Sequence, residues 1–251
     1  MLHFPMFNRK ISKKHRSPNY NDRINYDTPD ALILHYTGMK TAKDAIARLC
    51  DPKAEVSAHY VIEESGKIHH LVNNNKRAWH AGKSQWKGVS DMNSASIGIE
   101  IVNPGHELGY RAFPEKQITA LAGLCKDLMA EFDISPARVL GHSDIAITRK
   151  IDPGHLFPWE KLARDAIGLW PAPTEMDYQA GEDLILDPDA LHELLNGFGY
   201  AASLPLGETV RAFHRHYYPE KFTTAADKPD EPDIATAAKL LSLIRQSHEI
   251  S

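Results

Sequence analysis

Residues 31–36 form a short apolar run, Ala-Leu-Ile-Leu-His-Tyr, closed by Gly38. A run this short and apolar on both faces predicts a central strand covered on both sides. Residues 41–50 predict a helix with Ala45, Ile46 and Leu49 on one face and Asp51-Pro52 as its stop. Residues 58–63 and 67–72 read as a hairpin turning at Ser65-Gly66, and residues 79–89, rich in Gly, Lys and Trp, as a loop. A second central strand is predicted over residues 96–102, ended by Asn103-Pro104-Gly105. Pro114 then opens the clearest helical pattern of the chain. Ile118, Leu121, Leu124, Cys125, Leu128, Met129 and Phe132 recur at the spacing of one buried face. Residues 138–140 lead back into the sheet and deliver Gly141-His142. Strands alternating with helices, plus one hairpin, predict an α/β fold with a central mixed β-sheet flanked by helices.

After Trp170 the strand patterns cease. Residues 171–176 start with Pro-Ala-Pro-Thr and read as a stiff linker. Three helical patterns follow. The first, residues 188–196, carries Leu191, Leu194 and Leu195 with Gly197 as its C-terminal cap; the others cover residues 208–218 and 234–244. The expectation is one domain over residues 1–170, with a loosely ordered start at 1–20, and a small three-helix domain over 177–251. His214 and His216 fall on the second tail helix and are expected to face solvent or the partner domain.

Charge and composition narrow the function classes. A formal charge of -4 over 251 residues offers no reason to expect nucleic acid. No apolar run approaches the ~20 residues that a membrane-spanning helix needs. Cys50 and Cys125 lie far apart on helical patterns, which fits two free thiols in a reducing compartment, with a single disulfide as the alternative. Near the N-terminus a short apolar stretch precedes the basic residues Arg9, Lys10, Lys13, Lys14 and Arg16. A secretory signal has the opposite order, so a cytoplasmic protein is expected; a missing native leader would leave the periplasm or the exterior open.

The candidate chemistry lies where polar residues interrupt apolar runs. Glu100 sits within Ile97-Gly98-Ile99-Glu100-Ile101, His35 within the first predicted strand, and His142 just after Val139-Leu140-Gly141, ten residues before Asp152. A buried carboxylate must pair, shift its pKa or bind a metal. Two histidines and an aspartate, His35, His142 and Asp152, could hold a catalytic zinc ion that keeps one position for water. Pro153 biases Asp152 toward an extended backbone, where Lys150 and Asp152 point to the same side.

Six strings occur in order: Leu34-His35-Tyr36-Thr37, Val56-Ser57-Ala58-His59-Tyr60-Val61-Ile62, Ala78-Trp79-His80-Ala81-Gly82, Asn93-Ser94-Ala95-Ser96-Ile97-Gly98-Ile99-Glu100, Gly141-His142-Ser143-Asp144 and Arg149-Lys150-Ile151-Asp152-Pro153-Gly154. Together they resemble the zinc-dependent N-acetylmuramoyl-L-alanine amidases of type 2, which share a fold with peptidoglycan recognition proteins. The resemblance spans residues 17–159. It implies Zn2+ held by His35, His142 and Asp152, with Glu100 as the catalytic glutamate and Lys150 as the lysine two residues before the aspartate ligand. It departs from the family at His155, where relatives commonly carry proline. The tail resembles helical peptidoglycan-binding domains, through residues 191–200 and 209–219. The implied partners are peptidoglycan fragments or anhydro-muropeptides.

That resemblance implies hydrolysis of the amide between N-acetylmuramic acid and L-alanine, in cell-wall turnover or recycling. Glu100 would shuttle the proton and Lys150 would face the oxyanion. Trp79, His80 and Asn93 are candidate substrate contacts, Trp79 and His80 as a groove wall; a Trp79 that only anchors its loop is the plainer alternative. His59 is expected to be structural. Two rival functions remain, a non-catalytic peptidoglycan recognition module and a glycan-cleaving hydrolase with Glu100 as acid. The second would leave His35 and His142 without a purpose, and a pure binder has no need of the full ligand set with its acid–base pair.

Overall fold

The computed structural model describes residues 11–224 and 226–249. In chain order the strands are β1 (Tyr20–Asp22), β2 (Ala31–Tyr36), β3 (Tyr60–Ile62), β4 (Ile68–His70), β5 (Lys76–Ala78), β6 (Ser96–Ile101) and β7 (Val139–Gly141). The α-helices are α1 (Ala42–Leu49), α2 (Met92–Ala95), α3 (Gly105–Leu108), α4 (Glu115–Phe132), α5 (His142–Ile145), α6 (Trp159–Ala163), α7 (Glu175–Leu184), α8 (Pro188–Phe198), α9 (Leu206–Tyr217) and α10 (Ile234–Glu249). A five-stranded sheet runs in the order β4-β3-β6-β2-β7. It is mixed: β3 is antiparallel to β4 and parallel to β6, and β6 is parallel to β2. The chain forms two compact units, residues up to His80 with Asn93–Ile134, and Ala81–Met92 with everything from Ser135 onward.

In the first unit the apolar runs become the sheet core. Leu32, Ile33 and Leu34 of β2 and Ile97, Ile99 and Ile101 of β6 are fully buried. The helix α1 begins at Thr41, whose hydroxyl accepts from the Asp44 N–H at 3.1 Å. Its buried face is Ala45, Ile46 and Leu49, as the pattern predicts. The helix α4 buries Ile118, Leu121, Leu124, Cys125 and Leu128, and Gln117 donates to the carbonyls of Ile62 and Val102 at 3.0 and 2.9 Å. That one amide joins the ends of β3 and β6, a role that periodicity cannot reveal.

Two features of this unit were not anticipated. The strands β1 and β5 pair antiparallel, Tyr20 opposite Ala78; their sequences, Tyr-Asn-Asp and Lys-Arg-Ala, are polar and lack an alternating pattern. The expected loose start holds no further than the described residues allow. Residues 1–10 lie outside them, whereas Ser17 and Asn19 are buried and Asn19 donates to the carbonyls of Asp51 and Val56.

The second unit holds β7 and α5–α10. The expected three-helix tail has a fourth helix, α7, which takes in Glu175 and Met176 of the expected linker. Its N-terminus is a capping box between Thr174 and Asp177. The pattern was hidden because α7 buries only Asp177 and Gly181 and leaves Met176 exposed. A β-carbon on Gly181 would lie 3.1 Å from the Ile234 carbonyl oxygen, so glycine permits close approach of α7 to α10.

The helix α8 runs past the expected cap at Gly197 and ends at Gly199, which has φ +154°. A side chain there would come within 2.5 Å of the Trp86 ring. Trp86 is fully buried and meets Phe198 and Tyr200 edge-on, at 5.9 and 5.0 Å. His214 and His216 are buried: His214 bonds to Thr236 and the Pro229 carbonyl, and His216 donates to Asp144 at 2.7 Å. The solvent-facing alternative for these histidines is therefore excluded. Cys125 is buried and Cys50 partly so, and neither forms a disulfide.

Candidate metal centre

The strand β2 delivers His35 and β6 delivers Glu100 at the same level, since the two residues are register partners in the parallel ladder. Partners in register point to one face of the sheet. His35 is buried, with its Nε2 3.0 Å from His80 Nδ1. His59, two residues beyond Ser57, is structural: its Nδ1 accepts from the Gly98 N–H at 3.0 Å and its Nε2 donates to the Lys76 carbonyl at 2.9 Å. Burial lowers its pKa to about 3, so the ring is neutral.

His142 opens α5 directly after β7. Its Nε2 faces the Ala81 carbonyl oxygen at 3.1 Å, which can only accept, so the proton lies on Nε2 and the Nδ1 lone pair faces Asp152 Oδ2 at 3.0 Å. Asp152 is held from its other side, as the Ser143 N–H donates to its backbone carbonyl at 2.8 Å. Ile151 is exposed, while Asp152 is buried and Lys150 half-buried, the alternation of an extended stretch.

One ligand atom from each of His35, His142 and Asp152 lies within 4.8 Å of the other two. Two neutral imidazole nitrogens and one carboxylate oxygen at this spacing suit a catalytic zinc, which takes three protein ligands at about 2.0–2.2 Å. A profile of the N-acetylmuramoyl-L-alanine amidase family, Amidase_2, matches residues 25–155. The chain belongs to that family.

The amidase is 36% identical to N-acetylmuramoyl-L-alanine amidase AmiD of Escherichia coli over 222 residues, 80% of this chain and 79% of AmiD. It is 34% identical to the 1,6-anhydro-N-acetylmuramyl-L-alanine amidase AmpD of Haemophilus influenzae over 164 residues, 58% of this chain and 87% of AmpD. Among solved structures, AmiD from E. coli in complex with anhydro-N-acetylmuramic acid-L-Ala-D-gamma-Glu-L-Lys superposes with a TM-score of 0.74 at 30% identity, covering 94% of this chain and 93% of that one. AmpDh3 from Pseudomonas aeruginosa, in complex with an anhydromuramic pentapeptide, gives 0.76 at 30% identity, covering 92% and 97%. No helix among the described residues of the amidase is long and apolar enough to cross a membrane.

The three expected substrate contacts of the amidase sit deeper than a groove wall would. His80 is buried against His35, and Asn93 is buried with its Oδ1 accepting from the His80 backbone N–H at 2.9 Å. Trp79 is half-buried and donates through Nε1 to Asn21 at 2.8 Å, which ties its loop to β1. His155, the departure from the family pattern, stacks on Phe222 at 5.5 Å and 13° rather than offering a ligand.

Sequence reasoning passed over Asp144 of the amidase. It is fully buried and accepts from the Gly141 N–H at 2.7 Å, from His216 at 2.7 Å and from the Tyr200 hydroxyl at 3.4 Å. His216 also stacks on Trp159 at 3.7 Å. The signal was present, since a carboxylate two residues after His142 in an apolar stretch needs partners. Those partners lie 56 and 72 residues further on.

Proposed function

We propose that this amidase hydrolyses the amide between the lactyl group of N-acetylmuramic acid and L-alanine in peptidoglycan fragments, including the 1,6-anhydro form, with zinc held by His35, His142 and Asp152. The observation that carries the reading is the convergence of those three side chains with Glu100 as the register partner of His35. The ligands bound to the AmiD and AmpDh3 structures supply the substrate class.

An amide is a poor electrophile with a poor leaving group. Its hydrolysis needs a deprotonated water, stabilisation of the carbonyl oxygen as charge develops, and a proton for the departing amine. When bound, zinc supplies Lewis-acid polarisation of the carbonyl and activation of water. His142 binds through Nδ1, because Nε2 is committed to the Ala81 carbonyl. Glu100 accepts the proton from the attacking water as the carbon–oxygen bond forms. It then gives that proton to the nitrogen as the carbon–nitrogen bond breaks, so one carboxylate serves as base and then as acid. Lys150, close in sequence to Asp152, offers a positive charge to the developing oxyanion.

The test is incubation of a purified anhydro-muropeptide with zinc-loaded protein, with and without a chelator, and resolution of the products by mass. Release of a free stem peptide that stops on chelation and returns with zinc is the expected result. Intact substrate despite bound zinc and measurable muropeptide binding would replace the hydrolase reading with that of a recognition module.

A further inference from the structure

Gly98 is a small residue in a strand of isoleucines. Ile97, Ile99 and Ile101 are fully buried, and Gly98 lies two residues before Glu100 on the face that His35 shares. A glycine inside a strand often marks close approach of another group. Here that group is the His80 ring: a β-carbon on Gly98 would lie 2.3 Å from its Cγ and 2.6 Å from its Nδ1. The missing side chain is what allows the ring to lie on the sheet. From that seat His80 Nδ1 reaches His35 Nε2 at 3.0 Å, with the rings edge-to-face at 5.1 Å and 82°.

His80 is itself held from three sides. Its backbone N–H donates to Asn93 Oδ1, its Nε2 lies 3.4 Å from Ser96 Oγ, and the His59 ring packs against it at 5.8 Å. Asn93, Ser96 and His59 are all buried. A histidine that binds a metal through one nitrogen carries its proton on the other, and the partner of that proton sets both tautomer and ring orientation. With His35 Nε2–H donating to His80 Nδ1, the proton of His80 lies on Nε2, toward the Ser96 hydroxyl. The chain of donors and acceptors is then consistent at every atom.

We propose that His80, seated in the gap left by Gly98, is a positioning residue that fixes the metal ligand His35 in the tautomer whose Nδ1 faces the metal. The proposal rests on the zinc reading above. It concerns how tightly the ligand is held, which can be measured without turnover.

The test compares zinc affinity, by competition with a chromophoric chelator, for the wild type, His80→Leu and His80→Asn. Leucine fills space without an acceptor, whereas the asparagine Oδ1 can stand near the place of Nδ1. Leucine is expected to weaken zinc binding by about 10- to 100-fold, and asparagine to keep it within a few-fold of wild type. Wild-type affinity in the leucine variant, or equal losses in both, would overturn the proposal and leave His80 a packing residue. A long-range 1H–15N spectrum of the zinc-loaded wild type gives a readout that does not depend on any variant folding. A proton on His35 Nε2 is expected, and a proton on Nδ1 would overturn the proposal. A wild type that takes up no zinc would bring down the metal reading itself, and this inference with it.

Discussion

His35 and His142 are held by different kinds of partner. His35 sits mid-sheet, and its contacts are side chains gathered on one face of β6: His80 in the gap at Gly98, with Asn93 and Ser96 behind it. His142 sits at a helix start, and its ring is oriented by a backbone carbonyl, that of Ala81. The turn that carries it is fixed by Asp144, which depends on His216 of α9 and on Tyr200 after α8. The first arrangement is built from residues within a short stretch of chain and can be altered one side chain at a time. The second recruits the helical tail. A tail expected only as a peptidoglycan-binding module thus also supplies partners to the segment bearing a ligand, so its loss should act on stability as well as on substrate choice.

The largest effect should separate chemistry from support. Glu100→Gln keeps the size and the neighbours but removes the base, and kcat should fall by about 10²–10⁴-fold with zinc content unchanged. Zinc loss in that variant would show Glu100 to be a ligand rather than a proton carrier.

Asp144→Ala should be the most damaging substitution away from the chemistry. It strands buried donors on Gly141 and His216, and breaking a buried pair of this kind costs about 3–5 kcal/mol, read as a drop in the denaturant midpoint. A shift below about 1 kcal/mol would mean that the tail contact is incidental.

Acid should weaken both regions by the same mechanism. Burial lowers the pKa of His59 in the first unit to about 3 and that of His214 in the second to about 4. Each is near 6.5 once unfolded, so between about pH 6.5 and 4 the unfolded chain binds protons that the folded chain does not. The stability they contribute is complete above pH 6.5 and is lost as pH falls, by up to about 1.4 kcal/mol per pH unit for each histidine. Melting curves across that range should flatten by one residue's share in His59→Gln and in His214→Gln alike. An unchanged slope in either would show that histidine to be protonated in the fold.

Tyr200→Phe should give the smallest change. It removes one 3.4 Å hydrogen bond to Asp144 and leaves the ring against Trp86, so a loss of about 0.5–1.5 kcal/mol is expected. A loss as large as that of Asp144→Ala would make Tyr200, rather than His216, the main partner.

What could be seen in the sequence follows the same division. The strands β2 and β6, the hairpin and the helix α4 are legible because burial on one or two faces imposes a period on the residues, and His35, Glu100, His142 and Asp152 stand out as polar interruptions of it. Gly98 was equally visible as a glycine among isoleucines, yet its purpose depends on His80, which arrives from another loop. His80 and Asn93 were placed on the groove wall because a polar residue in a loop looks exposed until the packing is known. The helix α7 escaped because it buries little, and α8 ran on to Gly199 because the seat of Trp86, more than a hundred residues earlier, decides where it ends. Local periodicity reveals elements; it does not reveal which distant side chain will need a glycine or a histidine beside it.

The most direct test is the zinc content of the purified, zinc-loaded wild type beside Asp152→Ala, measured by elemental analysis after dialysis against a weak chelator. One equivalent in the wild type and its loss in the variant, with the fold intact by circular dichroism, is the result that a His35–His142–Asp152 centre predicts. Stoichiometric zinc in Asp152→Ala, or none in the wild type, would contradict it.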